Sequence, residues 1–396
     1  MKQLRYIIMP VLLAAFSWSC SKEGRIDYTD ANAPAPAPVS QIKVTANAGG
    51  AILTYKIPID PNLSYVKAVY EIQKGVVREA KASRYTDTLR LVGFGDTLVH
   101  AVQLFSVGKN EKASAPVDIQ VKPLRPAVQT TFASITLDAT FGGVQVAFRN
   151  EAKDNLAITV MVDSTGQHTW NVINTFYTGA PAGNYSVRGF DTTARTFAVF
   201  VRDRWNNKSD TLTKTLKPIY EIQIPKNTWR AIHLPTDTWK EAESFPLEHL
   251  WDNNIQGYGG IFASTNNSIL PQWFTIDLGK KVVLSRIVEH QMQSDHFYAG
   301  SAVKKFELWG SNNPNPDGSW ESWQLMGTFN SFKPSGLPMG QTSGEDLNYA
   351  WLKGEDFPLG SLMPAVRYLR FKTLETYSMS GQVVIAELDL WGQLVP

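Results

Sequence analysis

Only one cysteine, Cys20, occurs in the 396-residue sequence, so no disulfide can form within the chain, and no CxxC pair is present to hold zinc or an iron–sulfur cluster. An excess of charge is missing too. Thirty-eight Lys and Arg against 36 Asp and Glu leave a net charge of +2, and no basic run supplies locally the phosphate-tracking surface that nucleic-acid binding requires, which excludes nucleic acid as a partner. The apolar run from Ile7 to Phe16 would reach about 15 Å as a helix, half the hydrocarbon thickness of a bilayer, so it does not span a membrane. Catalytic signatures are also lacking: no G-x-S-x-G, no H-E-x-x-H and no glycine-rich phosphate loop after a strand. Asn313 to Gly318 has the oxygen spacing that opens a calcium-binding helical loop, but its twelfth position is Gln324 and neither flank is helical, so it predicts a tight turn before Trp320.

The remaining composition, 43% hydrophobic and 19% charged, is that of a globular chain of two or three domains. Lys2 and Arg5, the apolar run, and Ser17 and Ser19 form a secretory signal over residues 1–19. Cys20 directly after this segment resembles the bacterial lipoprotein signal in the looser Bacteroidetes form. The resemblance implies acyl chains on the Cys20 thiol and amino terminus, which at ~0.8 kcal/mol per buried methylene anchor the chain to the outer membrane, facing the cell exterior. Residues 20–38 hold the alternation Pro34-Ala35-Pro36-Ala37-Pro38, which predicts an extended stalk.

From residue 39 to 125, short runs such as Ala51 to Tyr55 and Val66 to Ile72, separated by Gly, Pro, Asn and Asp, predict a β-sandwich of the immunoglobulin or fibronectin type with few helices. Ala101-Val102, Asn110 to Ser114 and Lys122-Pro123 recur, nearly in step, as Ala198-Val199, Asn207 to Ser209 and Lys217-Pro218. Residues 126–222 are therefore read as a second sandwich. Within it, Trp205 reads as a hairpin-tip aromatic packed on the adjoining domain, with Trp229 and Trp239 filling the next joint.

Tryptophan marks a change of architecture: none lies between residues 39 and 125, and nine of twelve lie from Trp229 onward. Phe274, Ile276 and Leu278 alternate with Trp273, Thr275 and Asp277 before Gly279, and similar strands at Phe306 to Trp309, Val366 to Phe371 and Val383 to Trp391 predict a jelly roll over residues 223–396. The fold class is all-β throughout. In order, Leu250 to Asn254, Pro271 to Gly279, Phe306 to Asn312, Arg367 to Phe371 and Ala386 to Gly392 resemble a discoidin domain, the coagulation-factor type C or galactose-binding-like fold. The whole chain resembles a Bacteroidetes lipoprotein with two immunoglobulin-like domains before a discoidin-like one.

That resemblance implies glycan binding without catalysis, near polysaccharide-uptake proteins of the outer membrane. It also implies a structural Ca²⁺ held by Asp252, Asn254 and Glu387. Sugar sites combine aromatic faces for C–H groups with planar polar groups for hydroxyls. The loop after Glu289 is rich in both, with His290, Gln293, Asp295, His296, Phe297 and Tyr298, and Tyr258, Trp351 and Tyr377 fall in neighbouring loops. Trp251, Trp273, Trp309 and Trp391 sit in or beside strands and read as packing. Two other functions fit the same loops: surface adhesion or contact with another protein of an outer-membrane complex, and glycoside hydrolysis through Asp295 or Glu375.

Overall fold

The structure, a computed structural model, describes residues 30–395 apart from 168, 294–296 and 361–362. Cys20, the signal segment, Asp295 and His296 lie outside the described residues. Strands β1 (Ser40–Asn47), β2 (Gly50–Lys56), β3 (Leu63–Gln73), β4 (Val76–Ser83), β5 (Thr88–Val92), β6 (His100–Gly108) and β7 (Val117–Val121) form sheets ordered β1-β2-β5 and β4-β3-β6-β7. Alternate residues of β3, from Val66 to Ile72, turn inward and meet Leu53, Leu89 and Leu91 of the facing sheet. The fourth strand pairs with the third instead of joining the first sheet, which distinguishes this sandwich from the immunoglobulin constant type and makes it fibronectin-like. The proline tract is not free-standing where it is described. Asn110 Nδ2 donates to the Asp30 and Ala33 carbonyls, and Asn62 Nδ2 to that of Pro34, tying residues 30–34 to the sandwich.

A helix unseen in the sequence, α1 (Ala127–Ala133), follows Pro126; seven residues are too few to display a helical period. Strands β8 (Thr136–Thr140), β9 (Gly143–Arg149), β10 (Leu156–Asp163), β11 (Trp170–Thr178), β12 (Ala182–Arg188), β13 (Arg195–Asp203) and β14 (Leu212–Leu216) then repeat the first topology strand for strand, as β12-β9-β8 and β11-β10-β13-β14. Trp205 packs against the first sandwich's core, while Asn207 Nδ2 donates to Gly93 O at 3.0 Å and Gln73 Nε2 to Asn207 Oδ1 at 2.6 Å.

The C-terminal unit contains β15 (Ile222–Gln223), β16 (Arg230–Ile232), β17 (Phe262–Ala263), β18 (Gln272–His290), β19 (Val303–Ser311), β20 (Gln324–Asn330), α2 (Gly344–Leu347), β21 (Glu355–Pro358), β22 (Val366–Thr376), β23 (Val384–Ile385) and β24 (Glu387–Leu394). Trp229 and Trp239 belong to its core with Phe274, Ile276 and Leu278; they do not fill the joint before it. That joint is polar: Arg188 and Arg286 both reach Asp356, and Arg286 also meets Glu221.

Strand β18 turns at Gly279, whose φ of +73° favours glycine, and a Cβ there would lie 2.8 Å from Thr228. Its first half pairs with β16 and β22, its second with β24 and β21. Gln272 and His290 therefore lie at the same end, beside Thr373 of β22 and Glu387 of β24. The other strands align with them, so the segments 253–271, 291–293, 297–302, 331–354 and 377–383 gather at this end.

Candidate functional site

At this end the loops are stitched from below by one carboxylate. Glu355, the first residue of β21, is fully buried and accepts hydrogen bonds from Gln291 Nε2 (2.6 Å), Ser331 Oγ (2.6 Å) and the Phe332 amide (2.9 Å). Each bond leads outward. Gln291 Oε1 accepts from the Tyr298 amide at 2.8 Å, the Tyr377 hydroxyl donates to Ser331 at 2.9 Å, and the Tyr298 hydroxyl donates to Phe332 O at 3.2 Å. Burial pushes the Glu355 carboxyl up to about 7, against the pull of its three donors. Across the β18–β21 pair its partner is Glu289, also buried, whose carboxyl burial and the Glu355 charge push well up, and whose Oε1 has no hydrogen-bond partner.

Several expected contacts prove to be internal. Tyr298 is 0% exposed and Phe297 is buried, both packed on Ala350 with Leu347, Trp351 and Tyr377 around them. Neither ring is a sugar platform, because the Gln291 bond draws the chain inward at Tyr298. His290 is likewise buried, its Nδ1 against Trp351 O at 2.6 Å and its Nε2 3.4 Å from Asp389. It orients the Trp351 loop instead of facing solvent.

The remaining residues frame the surface. Tyr258 is 59% exposed; its loop is held by the Gly257 amide, which donates to Gln293 Oε1 at 3.3 Å, and by Trp351 Nε1, which donates to Ile255 O at 2.8 Å. Tyr258, Gln293 and Trp351 thus come from three loops bonded to one another. Tyr377 is half-buried beside Tyr298, with ring centroids 5.6 Å apart. Sequence reasoning passed over Phe332, which is 63% exposed on the loop tied to Glu355. An isolated aromatic between Ser331 and Lys333, close to Pro334 and Gly336, was the available signal. The strand tryptophans do pack: Trp251 lies in the core, Trp273 and Trp309 against Trp320, and Trp391 beneath Arg286. Asp317 and Gly318 form the expected tight turn.

The proposed calcium ligands do not fit a calcium ion. Glu387 instead receives Lys226 Nζ, which also donates to Asp389, with both the lysine and Glu387 side chains nearly buried. Burial alone would lift the Asp389 carboxyl, but hydrogen bonds from His290 and Lys226 outweigh it and hold it at about 2. Asp252 Oδ1 accepts from the Asn254 amide at 2.8 Å, and Asn254 Oδ1 from that of Gln256 at 3.0 Å, so both close their own turns. Among the described residues no group of three or more His, Cys, Asp or Glu could hold a metal. A tethered ammonium stands where hard oxygens would otherwise enclose a cation. Adding a chelator should accordingly shift the unfolding midpoint by less than about 2 °C; a larger fall that calcium reverses would restore the metal site.

Hydrolysis needs two carboxyl groups that reach substrate. Glu289 and Glu355 are adjacent but buried, and Glu375 is paired with Lys304 at 3.3 Å.

Three family models match the chain, at residues 36–123, 124–227 and 251–392, each described as a domain of unknown function (DUF4959, DUF5126 and DUF5000). Among solved structures, a SusE-like protein is 31% identical, the match covering 68% of this chain and 100% of that one, with a TM-score of 0.44. The C-terminal domain of a chitobiase from Bacteroides fragilis is 17% identical, covering 44% of this chain and 100% of that one, with a TM-score of 0.33. The family 32 carbohydrate-binding module of Clostridium perfringens NanJ, in complex with galactose, is 18% identical, covering 43% and 98%, with a TM-score of 0.30. No curated protein matches the chain in sequence.

Proposed function

The chain belongs to the family of SusE-like proteins, and on that premise we propose that it is a non-catalytic glycan-binding protein of the cell surface, serving a polysaccharide-utilisation system. Acyl chains on Cys20 hold it to the outer membrane. The two fibronectin-like sandwiches carry the C-terminal unit outward, and its loops bind carbohydrate. The observation that carries this reading is the loop end itself, where Tyr258 and Phe332 are exposed on loops hydrogen-bonded to those of Gln293, Trp351 and Tyr377 and to the buried Glu355. Aromatic faces there suit the apolar faces of a sugar, and the Gln293 amide suits its hydroxyls. A shallow, largely polar site recovers little net free energy after desolvation, so single-site affinity is expected between about micromolar and millimolar.

Replacing Tyr258 or Phe332 with alanine should weaken binding of the recognised polysaccharide at least about tenfold, the effect of losing ~1.4 kcal/mol, with no change in the unfolding midpoint. Titration calorimetry of both variants checks this, and wild-type affinity in both would remove the loop assignment. Exposed Ile269, Met339 and Met379 on the loops of the same end favour a second reading, contact with an outer-membrane uptake protein. That reading predicts co-purification from envelope extracts and no glycan affinity.

A further inference from the structure

The second sandwich carries an open cleft of about 450 Å³ on the outer side of its four-stranded sheet. Leu156, Ile158 and Val160 of β10 point into the core, so Ala157 and Thr159 face outward. The register sets Tyr177 of β11 opposite Ala157 on one side and Arg202 of β13 opposite it on the other. With neighbouring strands ~4.8 Å apart, the two side chains rise about 10 Å from each other, with only the Ala157 methyl between them. Tyr177 is 77% exposed. One row along, Thr159 lies between Thr175 and Phe200, and the two threonines share a hydrogen bond of 3.3 Å. The result is a groove with a low floor, an aromatic wall and a guanidinium wall.

The charged groups at the groove differ in how far their hydrogen bonding is already used. Among the described residues neither Arg202 nor Arg204 enters an ion pair: Arg202 has only a 3.4 Å bond to Asn206 Oδ1, and Arg204 stacks on Trp205 with its Cζ 4.4 Å from the ring centre. Asp203, the carboxylate in the lining, is engaged by the Trp205 amide (2.8 Å), the Asn207 amide (2.9 Å) and Asn207 Nδ2 (2.8 Å). Asp154 lies within electrostatic reach of Arg204 and Asp203 without forming an ion pair. Two guanidiniums therefore remain with donor capacity directed to solvent, beside an exposed ring.

We propose that this groove is a second glycan site, selective for an acidic sugar whose ring stacks on Tyr177 and whose carboxylate takes the Arg202 guanidinium as a bidentate partner, with Arg204 adding attraction. The proposal rests on the reading of the chain as a glycan-binding protein and names a ligand class for it. Calorimetry of residues 21–396 with oligogalacturonate, alginate oligosaccharide, hyaluronan oligosaccharide and sialyllactose, and with methyl-esterified oligogalacturonate as the neutral counterpart, tests it. At least one acidic ligand should bind, more weakly as salt is raised, and Tyr177→Ala and Arg202→Gln should each reduce its affinity at least about tenfold with unchanged unfolding midpoints. Should it be oligogalacturonate, the ester should bind at least about tenfold more weakly. No binding by any acidic ligand, equal affinity for the ester, or wild-type affinity in both variants overturns the acidic site. Retention by neutral polysaccharides would in that event leave the loop-end reading standing.

Discussion

Asp237→Ala is expected to destabilise the C-terminal sandwich by about 3–5 kcal/mol, the cost of breaking a buried ion pair from one side. Arg370 on β22 is 0% exposed, and its guanidinium donates to Asp237 Oδ1 (3.0 Å), Thr275 Oγ1 (3.2 Å), Thr236 Oγ1 (3.2 Å) and Gly318 O (3.1 Å). The Trp320 and Trp323 rings lie 4.5 and 4.4 Å from its Cζ. Removing Asp237 leaves a cation in this site with neutral acceptors only. The double variant Asp237→Ala with Arg370→Met removes both charges, so it should be more stable than Asp237→Ala alone. Urea unfolding followed by tryptophan fluorescence measures both. A loss below about 1 kcal/mol for the single variant would show that the pair is solvated instead of buried.

The second large effect is a pH dependence centred on Glu355. Its carboxyl titrates near 7 in the folded chain against an ordinary 4.5, because burial disfavours the charge. The folded state therefore holds this proton more tightly than the unfolded state does. The stabilisation is complete below pH 4.5 and disappears as pH rises through 7, a change on the order of 3 kcal/mol from this group. Glu387, also pushed up to about 7 by burial, adds a slope of the same sign. Glu355→Gln cannot ionise and should lack the Glu355 share of the slope between pH 4.5 and 7. Denaturant midpoints across that range provide the check, and parallel curves for wild type and variant would contradict the buried-acid assignment. Its amide would also turn an N–H toward one of the three donors, loosening Phe332 or Ser331.

The strands were legible because their physics is local. Phe274, Ile276 and Leu278 alternate before Gly279, and the structure buries those three and turns the chain at that glycine. The two fibronectin-like sandwiches were visible as a faint repeat because corresponding strands face corresponding cores. The loop end was harder, since its burial is decided by partners distant in sequence. Tyr298 is drawn inward by Gln291, which is held by Glu355 from 64 residues away. Glu387 is engaged by Lys226, 161 residues earlier, in a segment with no metal-site pattern of its own. A rich mixture of His, Gln, Phe and Tyr in one loop is what a ligand site needs, but it is equally what a buried hydrogen-bonded base needs. Phe332 is not legible as a site residue because its setting in the sequence is polar and only the fold carries it to the same end as Tyr258.

On the proposed function, glycan binds at the loop end of the C-terminal sandwich. Affinity electrophoresis of residues 21–396 through gels containing plant, mucin or microbial polysaccharides tests it most directly. Retardation by at least one polymer class is expected, unchanged by a calcium chelator and lost in the Tyr258→Ala, Phe332→Ala double variant. Free migration through every polymer would contradict it.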